Sequence, residues 1–339
     1  MKVRVAINGL GRIGRAFLKL AMRSDDIDVV AINDLGELEN LAYLLRYDSA
    51  YGRSELKIEV KADQLIIDGR PIICLHEKDP AQLPWSRLSI GVVVESTGFF
   101  ENYDEARRHI DAGARKVVIS APAKGKAPAG LTTGTILMGL NDEQLDRCQI
   151  SSNASCTTNA ASPVIKILHE SLGIEKAMLS TVHAYTASQK LVDAPDAKDF
   201  RRGRAAAANI VPSTTGAATA VTEAMPELTG RFNGIAIRVP VITGSLVDLT
   251  FVAKRHTSKD EINSMLKKAA AEPRWQRIFT TTNEPLVSSD IVGNTHASIA
   301  DLGFTTVVDG NLVKVLSWYD NEMGYAHTLV EHVIKTGAN

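Results

Sequence analysis

Two short apolar runs, residues 2–8 (KVRVAIN) and 28–33 (DVVAIN), predict buried strands near the start of the chain. Between them, over 12–23, Ile13, Phe17, Leu20 and Ala21 recur on one face of a predicted helix. GVVVEST from Gly91 and KVVIS from Lys116 read as further buried strands, flanking a polar helix over 104–112. Strands and helices that alternate in this way predict a parallel, doubly wound sheet covered on both faces.

Past about residue 150 the pattern changes. A helix is expected over 155–171, followed by longer strand-like runs starting at Ala177 (AMLSTVHAYT), Gly234 (GIAIRVPV) and Ser245 (SLVDLTFVAKR). Their closer spacing predicts an α+β domain with a mixed, largely antiparallel sheet. The last segment, 321–336, predicts a helix with an apolar face, and periodicity alone leaves open which domain receives it. A chain of 339 residues exceeds one ordinary core, so two domains are expected.

Composition narrows the function classes. Hydrophobic residues at 45% and charged residues at 23% are ordinary for a globular chain. A net charge of −1 gives no global field for nucleic acid or an anionic membrane, and neither is expected as a partner. No apolar run is long enough to span a bilayer, and the N-terminal segment lacks the features of a signal peptide. The 3 cysteines, Cys74, Cys148 and Cys156, are widely spaced and form no C-x-x-C pair. Neither a disulfide framework nor a metal site is expected, and a reducing cytoplasm is.

Gly9-Leu10-Gly11-Arg12-Ile13-Gly14 is a G-x-G-x-x-G that follows a strand and opens a helix. The first glycine permits the turn, the second lets backbone N–H groups approach a pyrophosphate, and the third lets helix and strand pack closely. Asp34 follows the third glycine by 20 residues, after the second strand, where a carboxylate binds a ribose diol. The alternative is a glycine turn with a surface aspartate; the full context favours a Rossmann-like dinucleotide domain. A carboxylate at that position repels a 2′-phosphate and favours NAD over NADP.

In Ser151-Ser152-Asn153-Ala154-Ser155-Cys156-Thr157-Thr158-Asn159, hydroxyl and amide side chains crowd ahead of an apolar helix. Helix capping accounts for the Ser, Thr and Asn residues but not for the cysteine. A cysteine in a first turn feels the positive end of the helix, which favours thiolate. Cys74, in PIICL, and Cys148, leading into a strand, read instead as small buried hydrophobes. His183, in a strand-like STVHAYT, is the candidate proton acceptor, with a satisfied core histidine as the equal alternative.

Residues 152–159 resemble the active-site signature of the phosphorylating glyceraldehyde-3-phosphate dehydrogenase family. Ala6–Gly9, Tyr47–Ser49, Glu95–Gly98, Ser120–Pro122, Thr181–Thr186, Pro212–Ala218, Arg238–Pro240 and Trp318–Glu322 follow in that family's order, so the resemblance spans the chain. It implies Cys156 as nucleophile and His183 as base. Ser155, Thr157, Thr186, Thr215, Gly216 and Arg238 would bind the phosphates of glyceraldehyde 3-phosphate and inorganic phosphate. Gly9, Gly11, Arg12, Ile13, Gly14, Asp34, Lys78 and Ser120 would line NAD, with Asn321 at the nicotinamide amide. The implied domains are 1–152, with a C-terminal helix 321–339 packed back on it, and a catalytic domain 153–320. A cytoplasmic homotetramer is implied, in which 187–208, with Arg201, Arg202 and Arg204, crosses to a neighbour.

The chain departs from the family pattern at four points. Ala160 replaces a common second cysteine, Lys78 a frequent arginine, and Leu10 a frequent phenylalanine, while Ala194 is small ahead of Pro195. Two rivals share these motifs: an erythrose-4-phosphate dehydrogenase, and an NAD-binding redox sensor using Cys156. Ala184-Tyr185-Thr186 and Asp193-Ala194-Pro195 favour the triose enzyme over the first, and the full phosphate-binding set argues against the second.

Overall fold

The computed structural model describes residues 2–197 and 199–338. Lys198, within the expected crossing segment, and Asn339, at the end of the expected C-terminal helix, lie outside the described residues. The chain divides into two compact units, residues 1–154 with 326–339, and residues 155–325.

The first unit runs β1 (Val3–Asn8), α1 (Arg12–Ala21), β2 (Ile27–Asn33), α2 (Leu38–Arg46) and a small ribbon of β3 (Tyr47–Asp48) and β4 (Gly52–Arg53). It continues with β5 (Ile58–Lys61), β6 (Gln64–Ile67), β7 (Arg70–Leu75), β8 (Val92–Glu95), α3 (Tyr103–Asp111), β9 (Lys116–Ile119), β10 (Thr133–Thr135) and β11 (Ile150–Ser152). The sheet order is β10-β11-β9-β8-β1-β2-β7-β6-β5. From β10 to β7 every pairing is parallel, as the alternating pattern predicts.

The sheet is buried on both faces, and strand periodicity shows how. Val5, Ile7, Val92 and Val94 enter one core with Phe17, while Ala6 and Val93 enter the other with Trp85. Leu329, Val330 and Val333 join the first of these cores. The sheet also has an antiparallel edge, β5-β6-β7, that the doubly wound pattern does not predict. Two left-handed turns, at Ala62 (φ 48°) and Asp68 (φ 48°), reverse the chain there, without a glycine at the first.

The second unit runs α4 (Cys156–Leu172), β12 (Ile174–Ala184), β13 (Val211–Thr214), α5 (Ala217–Ala224), β14 (Phe232–Val239), β15 (Ser245–Ala253), α6 (Lys259–Ala270), β16 (Phe279–Thr282), β17 (Ser298–Val308) and β18 (Leu312–Tyr319). Its sheet order is β13-β14-β12-β15-β18-β17-β16. β12–β14 and β16–β17 are parallel and the other pairings antiparallel, the mixed sheet expected. In β15 every second residue is buried, so one face packs inward and the other does not. The last helix, α7, spans Met323–Ala338.

Candidate active site

In the first unit a cleft of about 770 Å³ opens at the carboxyl ends of β1 and β2, lined by Asn8, Gly9, Gly11, Asp34, Lys78 and Thr97 among others. The three glycines of the loop have separate reasons. Gly9 has φ 95°, and a Cβ there would lie 2.7 Å from the Ser96 carbonyl carbon. A Cβ on Gly14 would lie 2.1 Å from the Gly9 oxygen, so α1 could not pack this closely on the loop. Gly11 would meet nothing within 4 Å, which leaves its backbone open to the cleft that it lines. These residues fit a dinucleotide whose pyrophosphate approaches Gly11.

Asp34 is tied to the same loop. Its Oδ2 accepts from the Leu10 N–H at 2.6 Å and its Oδ1 from the Gly36 N–H at 2.7 Å. Leu10 itself is buried in the core. Lys78 is exposed on the rim. Four expected cofactor residues of this unit, Arg12, Ile13, Gly14 and Ser120, are outside the lining of the cleft. Arg12 pairs with Asp48 at 2.7 Å and lies over the Tyr51 ring, Ile13 packs against the core, and the Ser120 N–H donates to the Glu95 carbonyl at 2.9 Å.

In the second unit α4 begins at Cys156. Ser155 is its N-cap, with Oγ accepting from the Thr158 N–H at 3.1 Å. Ala154, just before it, has φ 54°, a left-handed conformation that disfavours a side chain, and the Ser152 hydroxyl holds its N–H at 3.0 Å. His183 sits near the end of β12, two residues beyond Thr181 on the same buried side of the strand. Parallel pairing of β12 with β14 puts Arg238 opposite His183. Two packing events, a helix start and a strand register, therefore build one cluster: Cys156 Sγ lies 3.3 Å from His183 Nε2, and Arg238 Nη1 lies 2.7 Å from His183 Nδ1.

The Nδ1 atom has two partners. It lies 2.6 Å from the Ala184 carbonyl, to which Arg238 also donates at 3.1 Å. A proton on Nδ1, donated to that carbonyl, leaves Nε2 free to accept the thiol proton. A guanidinium proton donated to Nδ1 instead puts the ring proton on Nε2, facing the sulfur. Burial first, and Arg238 second, push His183 from 6.5 down to about 3. Burial pushes the Cys156 thiol up, against the pull of Arg238, although the residue keeps some exposure. Burial of both groups thus works against the charge separation that the helix terminus favours.

Tyr319, on β18, falls within the Trp318–Glu322 motif but is not among the expected site residues. Its buried hydroxyl bonds Thr157 at 2.9 Å and Thr181 at 2.8 Å, and its ring meets the His183 ring edge-on at 5.9 Å between centroids. It braces the first turn of α4 and the strand of the histidine together. Asn321 has a similar support: its Oδ1 accepts from Thr243 at 3.2 Å and Ser245 at 2.9 Å, which turns its NH₂ away from them. The other expected phosphate residues make local bonds. Thr186 Oγ1 lies 2.9 Å from Ser188 Oγ, Thr215 Oγ1 accepts from the Ala217 N–H at 3.2 Å, and Gly216 caps α5.

A dinucleotide cleft in one unit and a cysteine–histidine pair at a helix start in the other define a class, the pyridine-nucleotide oxidoreductases that carry a reactive thiol. The family model for the glyceraldehyde 3-phosphate dehydrogenase NAD binding domain matches residues 3–103, and that for the C-terminal domain matches residues 155–321. The glyceraldehyde-3-phosphate dehydrogenase of Geobacillus stearothermophilus is 47% identical over 333 residues, 98% of this chain and 97% of the relative. The Borreliella burgdorferi enzyme of the same name is 47% identical over 336 residues, 97% and 98% of the two chains. Glyceraldehyde-3-phosphate dehydrogenase 1 of Kluyveromyces lactis is 44% identical over 335 residues, 98% and 99%. The chain belongs to the glyceraldehyde-3-phosphate dehydrogenase family, and its cofactor is NAD. Among the described residues no helix is long and apolar enough to cross a membrane.

Proposed function

We propose that the chain oxidises D-glyceraldehyde 3-phosphate to 1,3-bisphosphoglycerate with inorganic phosphate, as a cytoplasmic homotetramer in which residues 187–208 reach a neighbouring subunit. The first unit is read as the cofactor-binding domain and the second as the catalytic domain. The observation that carries this reading is the Cys156–His183 contact of 3.3 Å with Arg238 beside it, in a chain of this family. Gly9, Gly11, Gly14 and Asp34 hold the cofactor, with Arg12, Ile13, Lys78 and Ser120 around it and Asn321 at the nicotinamide amide. NAD, when bound, supplies the hydride acceptor.

Cys156 loses its proton to His183 Nε2 as the sulfur attacks the aldehyde carbon, and Nε2 returns that proton to the former carbonyl oxygen, giving a thiohemiacetal and a neutral imidazole. His183 then takes the hydroxyl proton as hydride leaves, and a thioester on Cys156 remains. Inorganic phosphate attacks the thioester carbon, releasing the acyl phosphate and the thiolate. Ser155, Thr157, Thr186, Thr215, Gly216 and Arg238 hold the two phosphates, the arginine by a fixed fork of charged donors. A phosphate on Arg238 also draws its charge away from His183 Nδ1, which leaves the Ala184 carbonyl to select the tautomer with a free Nε2.

The test is NADH formation followed by absorbance, with and without phosphate, for the native chain and Cys156→Ser. Expected is a phosphate-dependent rate with glyceraldehyde 3-phosphate that Cys156→Ser abolishes while still binding NAD. A higher kcat/KM with erythrose 4-phosphate, or turnover in Cys156→Ser, would overturn the assignment.

A further inference from the structure

The first unit contains a buried polar relay that the proposed chemistry does not use. Glu95, at the end of β8, is 2% exposed, and His109, on α3, is 0% exposed. Glu95 Oε2 accepts from Asn8 Nδ2 at 2.6 Å and lies 3.0 Å from His109 Nε2, while Oε1 accepts from the Thr97 N–H at 2.8 Å and the Thr97 hydroxyl at 2.5 Å. The indole of Trp85, itself 0% exposed, donates to His109 Nδ1 at 2.9 Å. Since an indole N–H can only donate, Nδ1 is an acceptor and the ring proton sits on Nε2, directed at Glu95. With this tautomer each bond from Trp85 to the carboxylate has one donor and one acceptor, and the Asn8 amide nitrogen, 3.5 Å from Nε2, makes no bond to the ring.

From Glu95 the relay reaches both rims of the cleft. On one side, Thr97 Oγ1 accepts from the Phe99 N–H at 3.1 Å. On the other, Asn33 Nδ2 donates to Asn8 Oδ1 at 2.7 Å. The same Asn33 amide clasps the Glu77 backbone at both ends, donating to its carbonyl at 2.9 Å and accepting from its N–H at 2.8 Å. Asn8, Asn33, Glu77, Thr97 and Phe99 all line the cleft, while Glu95, His109 and Trp85 do not. A buried network with every member satisfied has one low-energy geometry, and removing a member leaves the others unpaired away from water.

We propose that Glu95 and His109 are positioning residues for NAD, holding the 96–99 and 77–78 rims of the cleft at a fixed separation through Asn8 and Asn33. The proposal rests on reading this cleft as the NAD site. Neither residue touches the cofactor; they act by removing rim freedom that binding would otherwise have to remove.

Calorimetric titration of the nucleotide-free full chain with NAD tests this, using His109→Leu, His109→Gln, Glu95→Gln and Asp34→Asn. His109→Leu takes away both contacts of the ring. His109→Gln keeps a donor for Glu95 and an acceptor for Trp85. Glu95→Gln sets an NH₂ against donors. Expected is a Kd for NAD raised on the order of tenfold by His109→Leu and Glu95→Gln and largely restored in His109→Gln. The alkylation rate of Cys156 by iodoacetamide should stay at the native value in all of them, and amide exchange at Thr97 and Phe99 should rise only with the two weakened variants. Native affinity in Glu95→Gln and in any folded His109→Leu, with Asp34→Asn weakened, overturns the relay. Native affinity in all variants including Asp34→Asn overturns the cleft assignment instead. If His109→Leu does not fold, Glu95→Gln against His109→Gln decides.

Discussion

Replacing Arg238 with leucine should raise the pKa of His183 without breaking the pairing of β12 with β14, because the backbone register is untouched. The guanidinium nitrogen lies 2.7 Å from Nδ1, so the centres of charge are about 4 Å apart, where like charges cost at most about 4 kcal/mol at an effective dielectric of ~20. Burial is the larger cause of the fall from 6.5 to about 3, so Arg238 accounts for roughly half or less of it. That share corresponds to about one to two pH units, or ~1.4–2.7 kcal/mol. The assay is a histidine-selective NMR titration in a Cys156→Ser background, with the His183 signal assigned by its absence in His183→Asn. The midpoint should move from about 3 to roughly 4–5 in Arg238→Leu. Added sulfate should move it the same way in the Arg238 protein and not in Arg238→Leu. An unmoved midpoint would show that desolvation alone sets it, and the proposed release of the tautomer by phosphate would fail with it.

Three further outcomes follow from particular residues. His332 is held between Ser151, at 2.8 Å, and Asn153, at 3.0 Å, and burial pushes it from 6.5 down to about 3, as with His183. A depressed folded pKa means stability present above pH 6.5 and lost as pH falls toward 3, at about 1.4 kcal/mol per pH unit for each histidine. Denaturant unfolding at several pH values should show this acid loss, with a shallower slope in His332→Leu, and an unchanged slope would refute it. Asp34→Gly removes the acceptor of the Leu10 and Gly36 N–H groups and, on the proposed function, the ribose contact, so NAD should weaken and NADP gain relative kcat/KM; an unchanged ratio would remove the carboxylate from the ribose. Peroxide should take Cys156 through sulfenic to sulfinic or sulfonic acid unless an external thiol intervenes, because Ala160 offers no sulfur one turn along α4 and Cys74 and Cys148 are buried. A dominant Cys148–Cys156 disulfide in peptide mapping would contradict this.

What the sequence determined is what neighbouring residues determine. The alternation of β1, α1 and β2 was legible because strand and helix periods are set within a few residues, and the glycine loop because Gly9 takes a positive φ and Gly14 packs directly on Gly9. The start of α4 was legible in its capping residues, and with it the cysteine in the first turn. Cys148, read as a small buried hydrophobe leading into a strand, is buried just ahead of β11. The tertiary structure decided what depends on which strands lie side by side. His183 read equally well as a core histidine until the register of β12 with β14 and the start of α4 brought Arg238 and Cys156 to its two nitrogens. Burial opposes charge on both members of the pair, while Arg238 favours the thiolate and disfavours the imidazolium, a balance that only the tertiary structure sets. Asn8, Glu95, His109 and Trp85 are unremarkable singly, and Tyr319 sits in an apolar strand. Each acquires a role only when strand order and helix packing carry its polar atom to a partner many residues away, where burial makes the missing bond costly.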